Sequence, residues 1–192
     1  MPEPSIFAIV LAAGSGRRFG STKQLAEYYG ESLVRRAVRL AEEVCGNRSV
    51  LVVGNDWKRV LAACGRLRGF FVRNDKHESG MASSIACGVA SVAHSAGAVL
   101  LIMADQPLVT AEHLNVLIGH WTGAPEDIVV SEYSEIQGPP VVFPARCFES
   151  LMKLEGDQGA RAILSDSSFS VSAIHCDAAA IDVDTPEDLE KL

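Results

Sequence analysis

The sequence predicts an α/β protein, a Rossmann-like three-layer αβα sandwich built around a mostly parallel sheet. Three observations lead there. Short, wholly apolar runs alternate with segments of helical period along most of the chain. The first of those runs opens directly into a loop with three glycines, Gly14, Gly16 and Gly20. The length, 192 residues, suits a single domain with a substantial core.

The elements follow in order. Residues 6–13 read as the first strand. Residues 32–44 place apolar side chains at 33, 34, 37, 38, 40, 41 and 44, a helical stripe with arginines opposite. Residues 50–54 give a second strand, 56–67 a helix and 70–72 a short third strand. A helix over 79–93 is opened by Ser79 and Gly80, with Met81, Ile85, Val89 and Val92 on one side. Residues 98–103 form a fully buried strand and 111–121 a helix. This alternation predicts parallel strands with helices on both faces. In such sheets the ligand lies beyond the carboxyl ends of the strands, where the glycine loop and Asp105 both fall.

The pattern changes near residue 126. Residues 128–131 and 141–143 read as strands around a turn at 134–140. A helix near 145–153, a loop at 155–159, a strand over 169–174 and a closing helix over 186–192 complete the chain. No repeat, low-complexity tract or linker divides it. Residues 1–192 therefore read as one domain, with 1–125 as its first part and 126–192 as a subregion.

Composition excludes several classes. Hydrophobic residues make up 48% and charged residues 21%, ordinary for a globular protein. No apolar run approaches the ~20 residues of a membrane span. The run at 6–13 is short and follows Glu3 and Pro4 rather than basic residues, unlike a signal peptide. Five scattered cysteines with no C-x-x-C pair argue against a disulfide framework and a cysteine zinc site, and a cytoplasmic setting is expected. A net charge of −7 argues against nonspecific nucleic-acid binding. The five histidines show no ligand spacing, and Ser83 and Ser84 lack a nearby acid–histidine pattern, so serine hydrolase chemistry is disfavoured.

Against that acidic background, Arg17, Arg18 and Lys23 cluster in the glycine loop. Glycines let backbone N–H groups approach anionic oxygens, and the cations supply fixed charge beside them, an arrangement suited to polyphosphate. A bare turn after a strand needs none of these cations. The spacing matches neither better-known phosphate motif. The third glycine falls one residue too late for the dinucleotide fingerprint, and Lys23 lacks the preceding glycine of a P-loop.

Two acidic segments lie downstream. Asp105 leaves the end of a very apolar strand, where a carboxylate is poorly solvated and needs a partner, such as a metal ion or a turn. In Asp182-Val183-Asp184-Thr185-Pro186, alternation sends the two aspartates to opposite sides, so at most one ligates a given ion. Thr185 as N-cap and Pro186 in the first helical turn explain much of this segment by capping alone. The helix beginning near Ser79 and Gly80 offers free N–H groups and small side chains.

Taken together, the run from Leu11 to Lys23, the Gly80-Met81-Ala82-Ser83-Ser84 segment, Asp105-Gln106-Pro107 and Asp182-Val183-Asp184-Thr185-Pro186 resemble the nucleotidyltransferases of the molybdenum cofactor. Sugar-phosphate and methylerythritol-phosphate nucleotidyltransferases carry looser versions of the loop. The resemblance implies the fold of the nucleotide-diphospho-sugar transferases. It places a nucleoside triphosphate over Leu11, Ala12, Ala13, Gly14, Ser15, Gly16, Arg17 and Lys23, with Ser79, Gly80, Ser83 and Ser84 toward ribose and base. Arg18 and Lys23 take the catalytic role on the phosphates. Asp105 and Asp184, with Asp182 in reserve, are implied to hold Mg²⁺, or Mn²⁺ in its stead. Gly138, Asp157 and Arg161 fall on the acceptor side. The Leu-Ala-Ala-Gly and Gly-Met-Ala-Ser-Ser spellings resemble the cytidylyltransferase branch. They imply CTP and a molybdopterin-type cofactor as substrates, pyrophosphate as product and a molybdoenzyme as recipient. GTP or another phosphorylated acceptor is the nearest alternative, and a non-catalytic nucleotide- or cofactor-binding accessory protein is an alternative of another class. A nicotinamide oxidoreductase is disfavoured by the glycine spacing and by the missing ribose-binding acid after the second strand.

Overall fold

The computed structural model describes residues 5–14, 19–20, 22–54, 56–156 and 159–192. Among the described residues seven strands form one sheet, and β1 (Ile6–Ala12) is an interior strand of it, third from one edge. Every residue from Ala8 to Ala12 is buried because both faces of this strand are covered. Ala8, Val10 and Ala12 pack into one core cluster, while Ile9 and Leu11 pack into the other. A 3-10 turn at Lys23–Leu25 follows the glycine loop, then a small hairpin of β2 (Glu27–Tyr28) and β3 (Glu31–Ser32).

Ser32 caps α1 (Leu33–Cys45) by accepting from the Arg35 N–H. The apolar stripe of α1 meets β1 and β4 (Ser49–Val53). Then come α2 (Trp57–Cys64), β5 (Phe70–Arg73) and α3 (Met81–Val92). The core strand β6 (Ala98–Met103) and α4 (Ala111–His120) complete the first part. Its strands run in the order β5-β4-β1-β6, all parallel.

The second part extends the same sheet. The strand β8 (Ile136–Pro144) lies antiparallel to both β6 and β7 (Asp127–Tyr133), and β9 (Ser170–His175) returns parallel to β7. Between β8 and β9 lie α5 (Phe148–Met152) and α6 (Arg161–Leu164), and α7 (Pro186–Glu190) closes the chain. One face of the sheet is covered by α1, α2 and α4, the other by α3, α5 and α6, which makes the three predicted layers.

The hairpin corrects the sequence reading. The turn is only Ser134–Glu135, both at positive φ (48° and 62°), not the whole of 134–140. Gly138, Pro139 and Pro140, which read as turn residues, lie inside β8. They are tolerated there because the β7–β8 register shifts between Val130 and Ser131, so the ladder lapses where prolines cannot donate. The helix expected from Ser79 also starts later. A 3-10 turn over His77–Ser79 ends at Gly80, whose φ of 104° requires glycine, and α3 begins at Met81.

Candidate functional site

The carboxyl ends of β1 and β6 open into a cavity of about 400 Å³. Leu11, Ala13 and Gly14 line one side, Gly80, Met81 and Ser84 another, and Lys23, Asp105 and Asp184 the floor. Three separated segments thus meet at one point. The Lys23 ammonium bonds Asp105 Oδ2 at 2.7 Å and Asp184 Oδ1 at 3.0 Å.

Local chemistry explains each placement. Gln24, itself buried, donates from Nε2 to the Gly14 carbonyl at 2.7 Å and so ties the 3-10 turn to the glycine loop. Asp105 is carried out of β6 at the sheet's edge of solvation. Its backbone carbonyl accepts from the Val183 N–H at 2.9 Å, which straps the 182–184 segment alongside the strand end. Val183 is fully buried and acts as the pin of that strap. The Asp188 carboxylate accepts from the N–H groups of Asp184 (3.0 Å) and Thr185 (2.8 Å), closing a capping box at the start of α7. The capping expected of Thr185 and Pro186 is therefore present, and it also fixes Asp184.

Burial alone pulls the Lys23 pKa down. The charge and hydrogen bond of Asp105, then those of Asp184, outweigh it and hold the group above its ordinary 10.5. Lys23 is an ammonium throughout the physiological range. Asp105 Oδ1 is buried and has no hydrogen-bond partner among the described residues. That orphaned oxygen, with Asp184 across the floor, fits a hard divalent cation bound through few carboxylates, with water and phosphate oxygens completing the shell. An all-protein cage does not form, since no group of three or more His, Cys, Asp or Glu converges among the described residues.

A second cavity, of about 510 Å³, adjoins the first. Leu11, Met81 and Met103 line both and form the wall between them. The second cavity has apolar sides, including Ile85, Val141 and Phe143, and a polar rim of Gln106, Tyr133, Gln137, Arg161 and Asp182. Asp182 and Asp184, expected on opposite sides of their segment, line one cavity each. The Asp182 residue is exposed at the rim of this cavity. The crowding of its carboxyl nevertheless removes hydration, and the Asp105 charge adds to that, so its pKa is pushed up to about 6.

The remaining sequence-predicted residues divide. Ala12 is buried in β1 behind the loop. Gly138 and Arg161 line the second cavity. Ser79 and Ser83 are not brought to the first cavity. Both hydroxyls bond the Lys76 carbonyl (2.7 and 2.9 Å), on the far side of the 3-10 turn. Ser15, Gly16, Arg17, Arg18 and Asp157 lie outside the described residues. Residues that the sequence reading did not single out as site residues include His77 and Glu78 at the first cavity, and Gln106 and Tyr133 at the second. Gln106 Nε2 donates to the carbonyls of Ala179 (2.8 Å) and Pro139 (3.2 Å), joining the strand end to β8 and to the segment before Asp182. Its position directly after Asp105 was the one available signal.

The fold and this floor define an α/β protein with a lysine and two acids gathered at its strand ends. Residues 8–173 match the family described as "MobA-like NTP transferase domain", and the chain belongs to that family of nucleotidyltransferases. Two relatives match along nearly their whole length. The chain is 29% identical to "Purine catabolism protein PucB" of Bacillus subtilis, over 99% of this chain and 97% of that protein. It is 30% identical to "Nicotine blue oxidoreductase" of Paenarthrobacter nicotinovorans, over 98% and 97%. Among solved structures it is similar to Rv0371c of Mycobacterium tuberculosis H37Rv, with 28% identity, TM-score 0.86 and coverage of 98% and 97%. A structure of Rv0371c in complex with manganese superposes with TM-score 0.81 at 27% identity, covering 98% and 97%.

Proposed function

We propose that the protein transfers CMP from CTP to a molybdopterin-type cofactor and releases pyrophosphate. The observation that carries the reading is Lys23 held between Asp105 and Asp184 on the floor of a cavity lined by Leu11, Ala13 and Gly14, with a second cavity across a shared wall. The first cavity takes the nucleotide and the second the acceptor. Residues 1–125 supply most of the former and 126–192 most of the latter.

Asp105 and Asp184 would hold Mg²⁺, or Mn²⁺ in its stead, and the ion supplies charge neutralisation on the triphosphate. Lys23 keeps a permanent positive charge beside the phosphates as negative charge develops on the leaving pyrophosphate. The family resemblance assigns Arg18, Ser15, Gly16 and Arg17 to the phosphates, and Leu11, Ala13, Gly14, Gly80 and Ser84 line the place proposed for ribose and base. A terminal acceptor phosphate attacks the α-phosphorus in line. It is already anionic, so no protein base is required. Arg161 and Tyr133 orient the acceptor, and the family resemblance assigns Asp157 to it as well. The expected setting is cytoplasmic, and no helix among the described residues is long and apolar enough to cross a membrane.

The oxidoreductase name of the Paenarthrobacter relative supplies a second reading, in which the cavity serves a redox reaction. One panel separates them: CTP, GTP, ATP and UTP with Mg²⁺ and the cofactor acceptor, followed by pyrophosphate release, beside a measurement of NAD(P)H binding. Pyrophosphate with CTP foremost supports the proposal. Preference for GTP replaces the nucleotide, and NAD(P)H binding without pyrophosphate release replaces the reaction.

A further inference from the structure

One edge of the molecule inverts the charge of the rest. Between Trp57 and Lys76 lie six cations (Lys58, Arg59, Arg66, Arg68, Arg73 and Lys76) against a single acid, Asp75, in a protein of net charge −7. All six are exposed. They surround β5, the outermost strand beside β4. Two adjacent aromatic residues of that strand are also left open, Phe70 at 40% and Phe71 at 41% of full exposure. Trp57 stacks on Phe71, with ring centres 6.2 Å apart and planes 15° apart. Lys58 and Arg73 lie 5.5 and 6.0 Å from the Trp57 ring centre.

The backbone is open as well. Asn74 donates inward to the Val53 carbonyl at 2.8 Å, so alternation turns the N–H groups of Phe71 and Arg73 toward the free side of the sheet. A purely solvated basic face would account for the cations but not for neighbouring exposed phenylalanines on an edge strand. Like charges make a second copy of this chain a poor occupant, and the same charges favour an acidic one. The strand then runs through Asn74–Lys76 into His77, Glu78 and Gly80, which line the first cavity, so an occupant here sits beside the cavity mouth.

We propose that this edge docks an extended acidic segment of a partner protein. The segment adds to β5 as a strand, covers Phe71 and Trp57, and sets its carboxylates against Lys58, Arg66, Arg68 and Arg73. The proposal does not depend on the transferase reading.

The probe is a short labelled peptide alternating Glu and Val, followed by fluorescence anisotropy, with the Lys-for-Glu peptide and a single-stranded oligonucleotide as comparisons. The acidic peptide binds, and ~10-fold more tightly at low than at high salt. Arg66→Glu with Arg68→Glu weakens it at least ~10-fold. Arg73→Pro binds more weakly than Arg73→Ala, since only proline deletes the outward N–H while sparing the bonds to β4. Thermal melts confirm that each variant is folded; should Arg73→Pro fail, the exposed Arg66 and Arg68 pair still decides. Equal binding of the Lys peptide, no effect of charge reversal, or displacement of the peptide by the oligonucleotide would overturn the proposal. So would a concentration-dependent dimer that buries this edge.

Discussion

The two cavities share a wall of Leu11, Met81 and Met103 but are assembled from different kinds of structure. The first is made where parallel strands end: β1 runs into the glycine loop, β6 runs into Asp105, and a capped segment delivers Asp184. Its decisive groups are charged and locked in one ion-paired cluster, Lys23 with Asp105 and Asp184. The second is made by an antiparallel hairpin laid against β6, and its groups are a phenol, two amides and single charges set around apolar walls. Charge fixed in a cluster suits an invariant polyphosphate. Apolar walls with adjustable polar rims suit the partner molecule that distinguishes one transferase from another. Changes to the first cavity should therefore abolish chemistry, while changes to the second should alter acceptor use.

The largest effect is expected at the cluster. Lys23→Ala should lower kcat/KM ~10²–10³-fold with either substrate varied, because it removes a fixed charge from the developing negative charge. Steady-state kinetics that changed only the acceptor KM would break the division between the cavities.

Gly138 provides the sharper contrast. A Cβ there would lie 2.4 Å from the Tyr133 hydroxyl and 3.3 Å from the next ring atom. Gly138→Ala forces the tyrosine hydroxyl to shift from its place in the second cavity. The acceptor KM should rise ~10-fold with the CTP KM unchanged. Adding Tyr133→Phe removes the clashing atom and should restore the fold around β8 without restoring acceptor affinity. A double variant no different from the single one in thermal stability would show that this contact is not what glycine relieves.

Ser131 tests the scaffold behind the second cavity. Its hydroxyl is fully buried, donates to the Pro140 carbonyl at 2.8 Å and takes the His113 ring at 2.8 Å. Ser131→Ala strands both partners and should cost about 1–3 kcal/mol in urea unfolding. Nucleotide binding by the folded variant should be unaffected.

The smallest effect is on pH dependence. The Asp182 carboxyl titrates near 6 in the folded protein against 3.8 when unfolded, so between those values the folded state holds more proton than the unfolded one. Its contribution to stability is present below pH 3.8 and is lost as pH rises through about 6. Asp182→Asn should flatten that decline in thermal melts taken across the window. An unchanged profile would mean that Asp182 is not held in the crowded state described.

Much of the first cavity was legible because its signals are local. The strands of the first part announce themselves as unbroken apolar runs, α1 by its stripe, and Asp105 by its place at a strand end. The division of Asp182 from Asp184 followed from the two-residue period alone. What escaped the sequence depends on distant pairing. Gly138, Pro139 and Pro140 carry the composition of a turn, and only the register shift opposite them makes a strand tolerable. The four-residue α6 is too short to show a period. Tyr133 becomes a site residue only through the register that sets β8 beside β7, and Gln106 through bonds to segments far along the chain. Ser79 and Ser83 turn to the Lys76 carbonyl instead of lining the first cavity because the φ of Gly80 turns the chain before α3 begins, a conformation that sequence permits but does not dictate.

The proposed nucleotidyl-transfer floor of Lys23, Asp105 and Asp184 can be probed by following label from CTP carrying a radioactive α-phosphate, with Mg²⁺ and the molybdopterin-type acceptor, in wild type and Asp105→Asn. Label should appear in the acceptor with an equal amount of unlabelled pyrophosphate, and both should be lost in the variant while it remains folded. Label that never leaves CTP in the wild type, or transfer undiminished by Asp105→Asn, would contradict it.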